Sequence, residues 1–152
     1  MISNTVIRSV RYMLNLSDEK LLDVIKLGEG NVTMEALQTF LKKEDEEGFV
    51  ECDDKTMYHF LNGVIYLRRG KDPTRPPMPF EIPTNNVVLK KLRVAFELKD
   101  DDIIEILNQA GFKLSKTELS AFFRKVGHQN YRECGDQFLR NFLKGLTSRI
   151  RK

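Results

Sequence analysis

The sequence predicts an all-α protein made of two tandem four-helix repeats packed into one body. Three observations predict it. The chain aligns with itself at an offset of 82 residues without a gap, Asn4–Ile65 on Asn86–Thr147. Its apolar residues recur at helical spacing, behind residues that suit helix N-caps, and no alternating stretch is long enough for a strand. All five prolines lie between Pro73 and Pro83, so both flanks lack the residue that most strongly breaks helices.

The doubling is plainest in Glu133-Cys134-Gly135-Asp136, followed by Phe142-Leu143-Lys144-Gly145. It echoes Glu51-Cys52-Asp53-Asp54, followed by Phe60-Leu61-Asn62-Gly63. Identical pairs also include Asn4/Asn86, Val6/Val88, Arg11/Arg93, Leu16/Leu98, Asp18/Asp100, Leu37/Leu119, Phe40/Phe122 and Lys43/Lys125. Such an internal repeat marks one supersecondary unit that buries its apolar face against a neighbour. The expected boundaries are a first repeat over 1–70, a linker over 71–85 and a second repeat over 86–152. At 152 residues a single body buries enough surface to be stable, whereas either half alone is marginal.

In chain order, the first helix is expected over Thr5–Leu14 and Val87–Phe96, with Val6, Ile7, Val10 and Met13 forming the apolar stripe. A sharp break precedes the second, Asp18–Leu27 and Asp100–Gln109. Ser17 suits its cap, and acidic first turns complement the helix dipole. Gly28 and Gly111 stand where a C-terminal stop belongs. Thr33 and Ser115 open the third helix, and Ser115-x-x-Glu118 has capping-box spacing. The fourth begins just after each cysteine and runs to about Arg68 and Ile150. The proline-rich linker reaches roughly 40 Å if extended, enough to cross the face of a small helical unit. Alternation of Met78, Phe80 and Ile82 predicts one side that packs down.

Ile7-Arg8-Ser9-Val10-Arg11-Tyr12 with its following Leu-x-Leu-Ser turn, the run Lys42–Phe49, Leu89–Phe96, and Asn130–Gly145 together resemble the YehS-type family of bacterial proteins. The resemblance spans essentially the whole chain. It implies two copies of one domain of unknown function in a small cytoplasmic protein, and it carries over no catalytic residue.

Composition bounds the function classes. With 41% apolar and 31% charged residues, the chain has the profile of a soluble globular protein. No apolar run approaches a membrane span, and Arg8 and Arg11 interrupt the N-terminal pattern that a signal peptide needs. Two cysteines 82 residues apart make no disulfide framework, and a cytoplasmic location is the expectation. The net charge of +3 is uneven: residues 1–85 carry 11 Lys/Arg against 14 Asp/Glu, and residues 86–152 carry 14 against 8. A basic half attracts polyanions.

No catalytic motif stands out: the chain has no phosphate-cradling glycine loop, no H-E-x-x-H and no G-x-S-x-G. The Cys52–His59 and His128–Cys134 spacings fit no zinc pattern, and the repeat does not reproduce the histidines, so neither metal nor cofactor is expected. Cys52 and Cys134 at helix starts are expected to be buried and structural. Arg11 and Arg93 are expected to pair with Glu51 and Glu133, tying helix one to helix four. Gly63 and Gly145, costing roughly 1 kcal/mol each inside a helix, point to close approach of another backbone. The two fourth helices, crossing near a pseudo-twofold axis, are the expected partners. Helices two and three form a helix-turn-helix-like pair. In the second repeat the third helix is expected to carry Lys116, Arg124 and Lys125, followed by His128, Asn130, Tyr131 and Arg132, with Arg140 and Lys144 on helix four. These side chains can contact phosphates and stack on bases. The expected function is therefore a non-enzymatic nucleic-acid-binding or regulatory protein. The alternative is a protein-interaction adaptor using the acidic loop Glu44–Glu47 or the groove between repeats.

Overall fold

A computed structural model describes residues 1–152. It contains eight helices and no strand: α1 Ser3–Leu14, α2 Asp18–Leu27, α3 Met34–Phe40, α4 Asp54–Arg69, α5 Asn85–Ala95, α6 Asp100–Gln109, α7 Lys116–Phe122 and α8 Asp136–Ile150. The caps explain where they start. Ser17 Oγ accepts from the Lys20 N–H, Thr33 Oγ1 from Ala36, Asp53 Oδ2 from Thr56 and Thr84 Oγ1 from Val87. Ser115 and Glu118 form the reciprocal capping box. The break after each first helix is made by Asn15 and Glu97, equivalent residues at φ 54° and 53°. There the N–H groups of Leu16 and Leu98 reach back to the carbonyls of Arg11 and Arg93.

The first and fourth helices of both repeats form a closed ring, in which α1 packs on α8 and α4, and α5 packs on α4 and α8. The closest packing in the ring runs between repeats, α4 on α5 and α1 on α8. The flanking helices stay within their own repeats: α2 lies on α4 with α3 against it, and α6 lies on α8 with α7 against it. Buried side chains of all eight helices form one continuous core, with Phe60, Phe142, Leu61, Leu89 and Leu92 among the most deeply buried. The duplication therefore yields one core shared by two interlocked copies.

The four ring helices start at the same end. At that end Asn4 of α1 and Asn86 of α5 are buried, and each makes three hydrogen bonds in the same pattern. Asn4 Nδ2 donates to Phe40 O (3.1 Å) and Val50 O (2.9 Å), and Asn4 Oδ1 accepts from the Cys52 N–H (2.8 Å). Asn86 repeats this with Phe122 O (3.0 Å), Arg132 O (2.8 Å) and the Cys134 N–H (2.8 Å). At the opposite end Arg151 Nη1 donates to Tyr12 O, and Arg69 Nη1 donates to Val94 O. Parallel helices place their positive dipole ends together. Asp54 and Asp136 in the first turns, and Asp53 as a cap, offset that charge. Parallel α4 and α5 also need a long return connection, which is the role of the linker: it leaves the C-terminal end of α4 and comes back to the start of α5.

Three expectations are corrected. Arg11 and Arg93 do not reach Glu51 and Glu133, both of which are exposed. They pair with Asp18 (2.7 Å) and Asp100 (2.8 Å), so the repeated ion pair spans the corner between the first two helices. Gly63 and Gly145 do admit a neighbouring backbone, but it belongs to the second helix of the same repeat. A Cβ on Gly63 would lie 1.9 Å from Val24 O, and one on Gly145 would lie 2.6 Å from Ile106 O. On the linker, Met78 packs against the core, while Phe80 and Ile82 stay 52% and 63% exposed. The half-buried neighbour is instead Glu81.

Gly63→Ala forces two backbones apart and should cost about 3 kcal/mol or more, visible as a lower urea midpoint. Gly145→Ala, where one of the two nearest atoms is the movable Ile106 side chain, should cost less. A stability increase in either variant would contradict the packing. Asn86→Asp keeps the size but removes both donors, stranding the Phe122 and Arg132 carbonyls. Loss of about 3 kcal/mol or more is expected, read as a fall in Tm of roughly 6–12 °C at this chain length.

Candidate functional site

The basic residues of the second repeat do not sit where a recognition helix would place them. Helix α7 ends at Phe122, so Arg124 and Lys125 lie beyond it. Six residues, 110–115, separate α6 from α7, longer than the three- or four-residue turn of a helix-turn-helix. The one cation on α7, Lys116, faces Asp101 at 3.2 Å. Arg124, Lys125 and Arg132 are gathered instead on the loop between α7 and α8. All three are exposed and none is in an ion pair.

Two turns and a strand-like crossing shape that loop. His128 Nδ1 accepts from the Asn130 N–H, the Tyr131 N–H donates to His128 O, and the Arg132 N–H donates to Ala121 O. Tyr131 is half-buried, and its hydroxyl pKa is raised by burial and by nearby Glu133. The loop's far end is held by the Asn86 clamp.

Lys144 is exposed on α8, also without an ion-pair partner. Arg140 stands apart from the loop cations. It lines an open cleft of about 690 Å³ at the N-terminal end of the ring, with Glu44, Glu51, Asp53, Asp54 and Asp136. Asp136 there accepts from the Met1 amino group (2.6 Å) and Asn85 Nδ2 (2.7 Å), which hold its carboxyl below the usual range.

Both thiols are buried. Burial, reinforced by Asp53 beside Cys52 and by Asp136 beside Cys134, pushes each up to about 12. Neither is a nucleophile at neutral pH. His59 donates through Nδ1 to Gly28 O at 2.9 Å, bracing α4 against the end of α2. No group of three or more His, Cys, Asp or Glu side chains converges where it could hold a metal ion. No helix is long and apolar enough to cross a membrane.

A second cleft, of about 660 Å³, lies between the α4/α5 seam and the linker. It is built around Lys91, which is only 7% exposed. Its Nζ donates to Asn62 Oδ1 (2.9 Å), approaches Tyr58 Oη (3.5 Å) and Met78 Sδ (3.3 Å), and lies 4.8 Å from the Tyr58 ring centroid. Burial holds the Lys91 ammonium below the usual lysine range, against a partial restoring effect of Glu81. Tyr58 donates to Pro79 O and meets Phe80 edge-on, which fastens the linker over the seam. Glu81 Oε1 lies 3.6 Å from Lys90, while its buried Oε2 has no hydrogen-bond partner.

Lys91, Tyr58 and Glu81 were not singled out in the sequence. The available signal was a lysine at an apolar position of the α5 stripe, flanked by Val88, Leu92 and Ala95, where the first repeat has Ser9.

A family described as "Protein of unknown function (DUF1456)" matches the chain twice, over residues 3–70 and 85–152. The chain is 49% identical over 150 residues to "Uncharacterized protein YehS" of Escherichia coli (strain K12), covering 98% of this chain and 96% of that one. Neither description names a catalytic activity. No solved structure matches the chain.

The thiols give a signed pH dependence. Their folded pKa values lie above the ordinary 9.0, so from about pH 9 upward the unfolded chain loses its thiol protons first and stability falls. The fall should be shallower in a Cys52→Ala/Cys134→Ala variant than in the parent, measured as Tm from pH 8 to 11. Parallel curves would show that the thiols ionise without restraint in the folded protein.

Proposed function

The chain belongs to the DUF1456 family, two copies of whose domain make up nearly its whole length, and from that premise we propose that it is a cytoplasmic, non-catalytic nucleic-acid-binding protein. The binding surface is the α7–α8 loop of the second repeat. The observation that carries this reading is the set Arg124, Lys125 and Arg132: three exposed cations on one short loop, none neutralised by a carboxylate. Free guanidinium and ammonium groups at this density bind phosphates by releasing condensed counterions. His128 and Asn130 beside them are exposed donors and acceptors suited to sugar and base edges.

The equivalent loop of the first repeat has Glu44–Glu47 in place of Val126–Gln129, all exposed, and repels phosphate. The polyanion therefore engages one repeat only. A second basic element follows α8. Arg151 stacks on Tyr12 at 4.2 Å, and Tyr12 is 61% exposed. This cation–aromatic pair is a ready platform for a base. Burial of both thiols supports a binding role over a catalytic one. The exposed Glu44–Glu47 loop supports a second reading, an adaptor for a basic protein segment. Retention of a protein partner after nuclease treatment, lost on Glu44→Lys/Glu46→Lys, would favour it.

Fluorescence anisotropy with labelled single- and double-stranded oligonucleotides tests the main reading. Binding should appear at low salt and weaken steeply as salt rises. In an Arg124→Glu/Lys125→Glu/Arg132→Glu variant, the slope of log K against log salt should fall by about 2–3. Absence of binding to DNA and RNA at low salt, or an unchanged slope in the variant, would overturn it.

A further inference from the structure

We propose that the cleft between the linker and the α4/α5 seam is a binding site for a small aromatic anion, a carboxylate or phosphate ester carried on a flat ring, whose charge is met by Lys91 and the cations at the rim. The case begins with an incompletely answered charge. Lys91 Nζ has three N–H donors but a single well-placed oxygen, Asn62 Oδ1. Tyr58 Oη is at the limit of a hydrogen bond, and a thioether is a weak acceptor. No carboxylate forms an ion pair with this buried ammonium. A buried charge left this way is costly.

The architecture does not require it. At the pseudo-symmetric seam between α8 and α1, Lys91 is replaced by Ser9, Asn62 by Lys144 and Tyr58 by Arg140, and those helices still pack. A methionine or leucine would hold the linker with less desolvation. Lysine here is explained by an acceptor that occupies the cleft.

The rest of the lining defines the acceptor. Arg69, Arg75 and Lys90 stand around Lys91, against the two carboxylates Asp72 and Glu81. Those carboxylates are approached by Arg75 at 3.8 Å and Lys90 at 3.6 Å, and Arg69 faces Glu97 at 3.8 Å, which leaves the buried Lys91 as the cation in excess. Val94, Pro76 and Pro79 supply flat or apolar surface and the half-buried Tyr66 ring an aromatic one, above a floor of buried Ile65 and Tyr58. The buried, unpartnered Glu81 Oε2 calls for a hydroxyl or N–H on the same ligand. A volume of about 660 Å³ suits a molecule of mononucleotide size or smaller, and the linker across it excludes a polymer. This site is separate from the α7–α8 surface and independent of it.

Amide NMR titration and calorimetry test the proposal, using guanosine 5′-monophosphate, adenosine 5′-monophosphate, 4-hydroxybenzoate and inorganic phosphate as probes. At least one aromatic anion should bind one-to-one with Kd below about 1 mM and shift the amides of Asn62, Lys91, Met78, Phe80 and Glu81. Inorganic phosphate alone should bind at least about tenfold more weakly, since it cannot use the ring surfaces. Lys91→Met should lower affinity by about tenfold or more without lowering Tm. Arg75→Ala at the exposed rim should lower it several-fold and serves if Lys91→Met does not fold. The proposal is overturned if no probe shifts the cleft amides at millimolar concentration, if the shifts map to residues 124–132, or if affinity is unchanged in the foldable variant. None of these outcomes depends on the oligonucleotide assay, so the two readings fail separately.

Discussion

Everything in this fold is registered by one buried side chain used twice. Asn4 and Asn86 sit at the first turn of α1 and α5, and each uses its amide protons and oxygen on the last residue of the third helix and on the segment leading into the fourth helix of its own repeat. The three partners in each copy are backbone groups that no helix satisfies. An amide is the side chain that can supply two donors and an acceptor at one point, which neither a carboxylate nor a hydroxyl can do. The clamp fixes α1 beside the start of α4, and α5 beside the start of α8. With the first and fourth helices held start to start, the parallel ring, its converging dipoles and the need for a long return linker all follow.

That constraint also explains how duplication produced one body. In each repeat the second helix lies tightly on the fourth, backbone to backbone at Gly63 and Gly145. The remaining apolar face of the fourth helix is covered chiefly by the first helix of the other copy. Neither copy closes its own core, so the 68 or so residues of each depend on exchange across the pseudo-twofold axis. Differences between the copies then accumulate where symmetry does not bind them. One inter-repeat seam is covered by the linker and encloses a buried cation, and the other is bare, with Tyr12 and Arg151 at the surface.

The candidate sites were legible in proportion to how local their chemistry is. The charge contrast between Glu44–Glu47 and Arg124–Arg132 could be read directly from the chain. Its setting could not: the third helix is one turn shorter than the basic run implied, because α7 stops at Phe122 and the next residues turn away to meet the Asn86 clamp. Arg11 and Arg93 were marked by recurrence, but their partners were not, since Asp18 and Asp100 come into range only through the left-handed corner at Asn15 and Glu97. Lys91 gave the weakest signal, one charged residue in an apolar stripe. It became a site only when Tyr58, Asn62 and the returning linker closed around it.

The sequence by itself determined the all-α class, the doubling, the second-helix bounds, the caps at Ser17, Thr33 and Ser115, and the burial of both cysteines. These follow from short-range rules: apolar periodicity, side chains that bond backbone a few residues away, and the spacing of one repeat against the next. Tertiary structure alone decided which helix covers which, that the glycines face α2 and α6, that the four ring helices run parallel, and that a lysine lies beneath the linker. Those outcomes depend on contacts between residues far apart in the chain, where many pairings satisfy the same pattern of apolar and polar positions and only three-dimensional packing selects one.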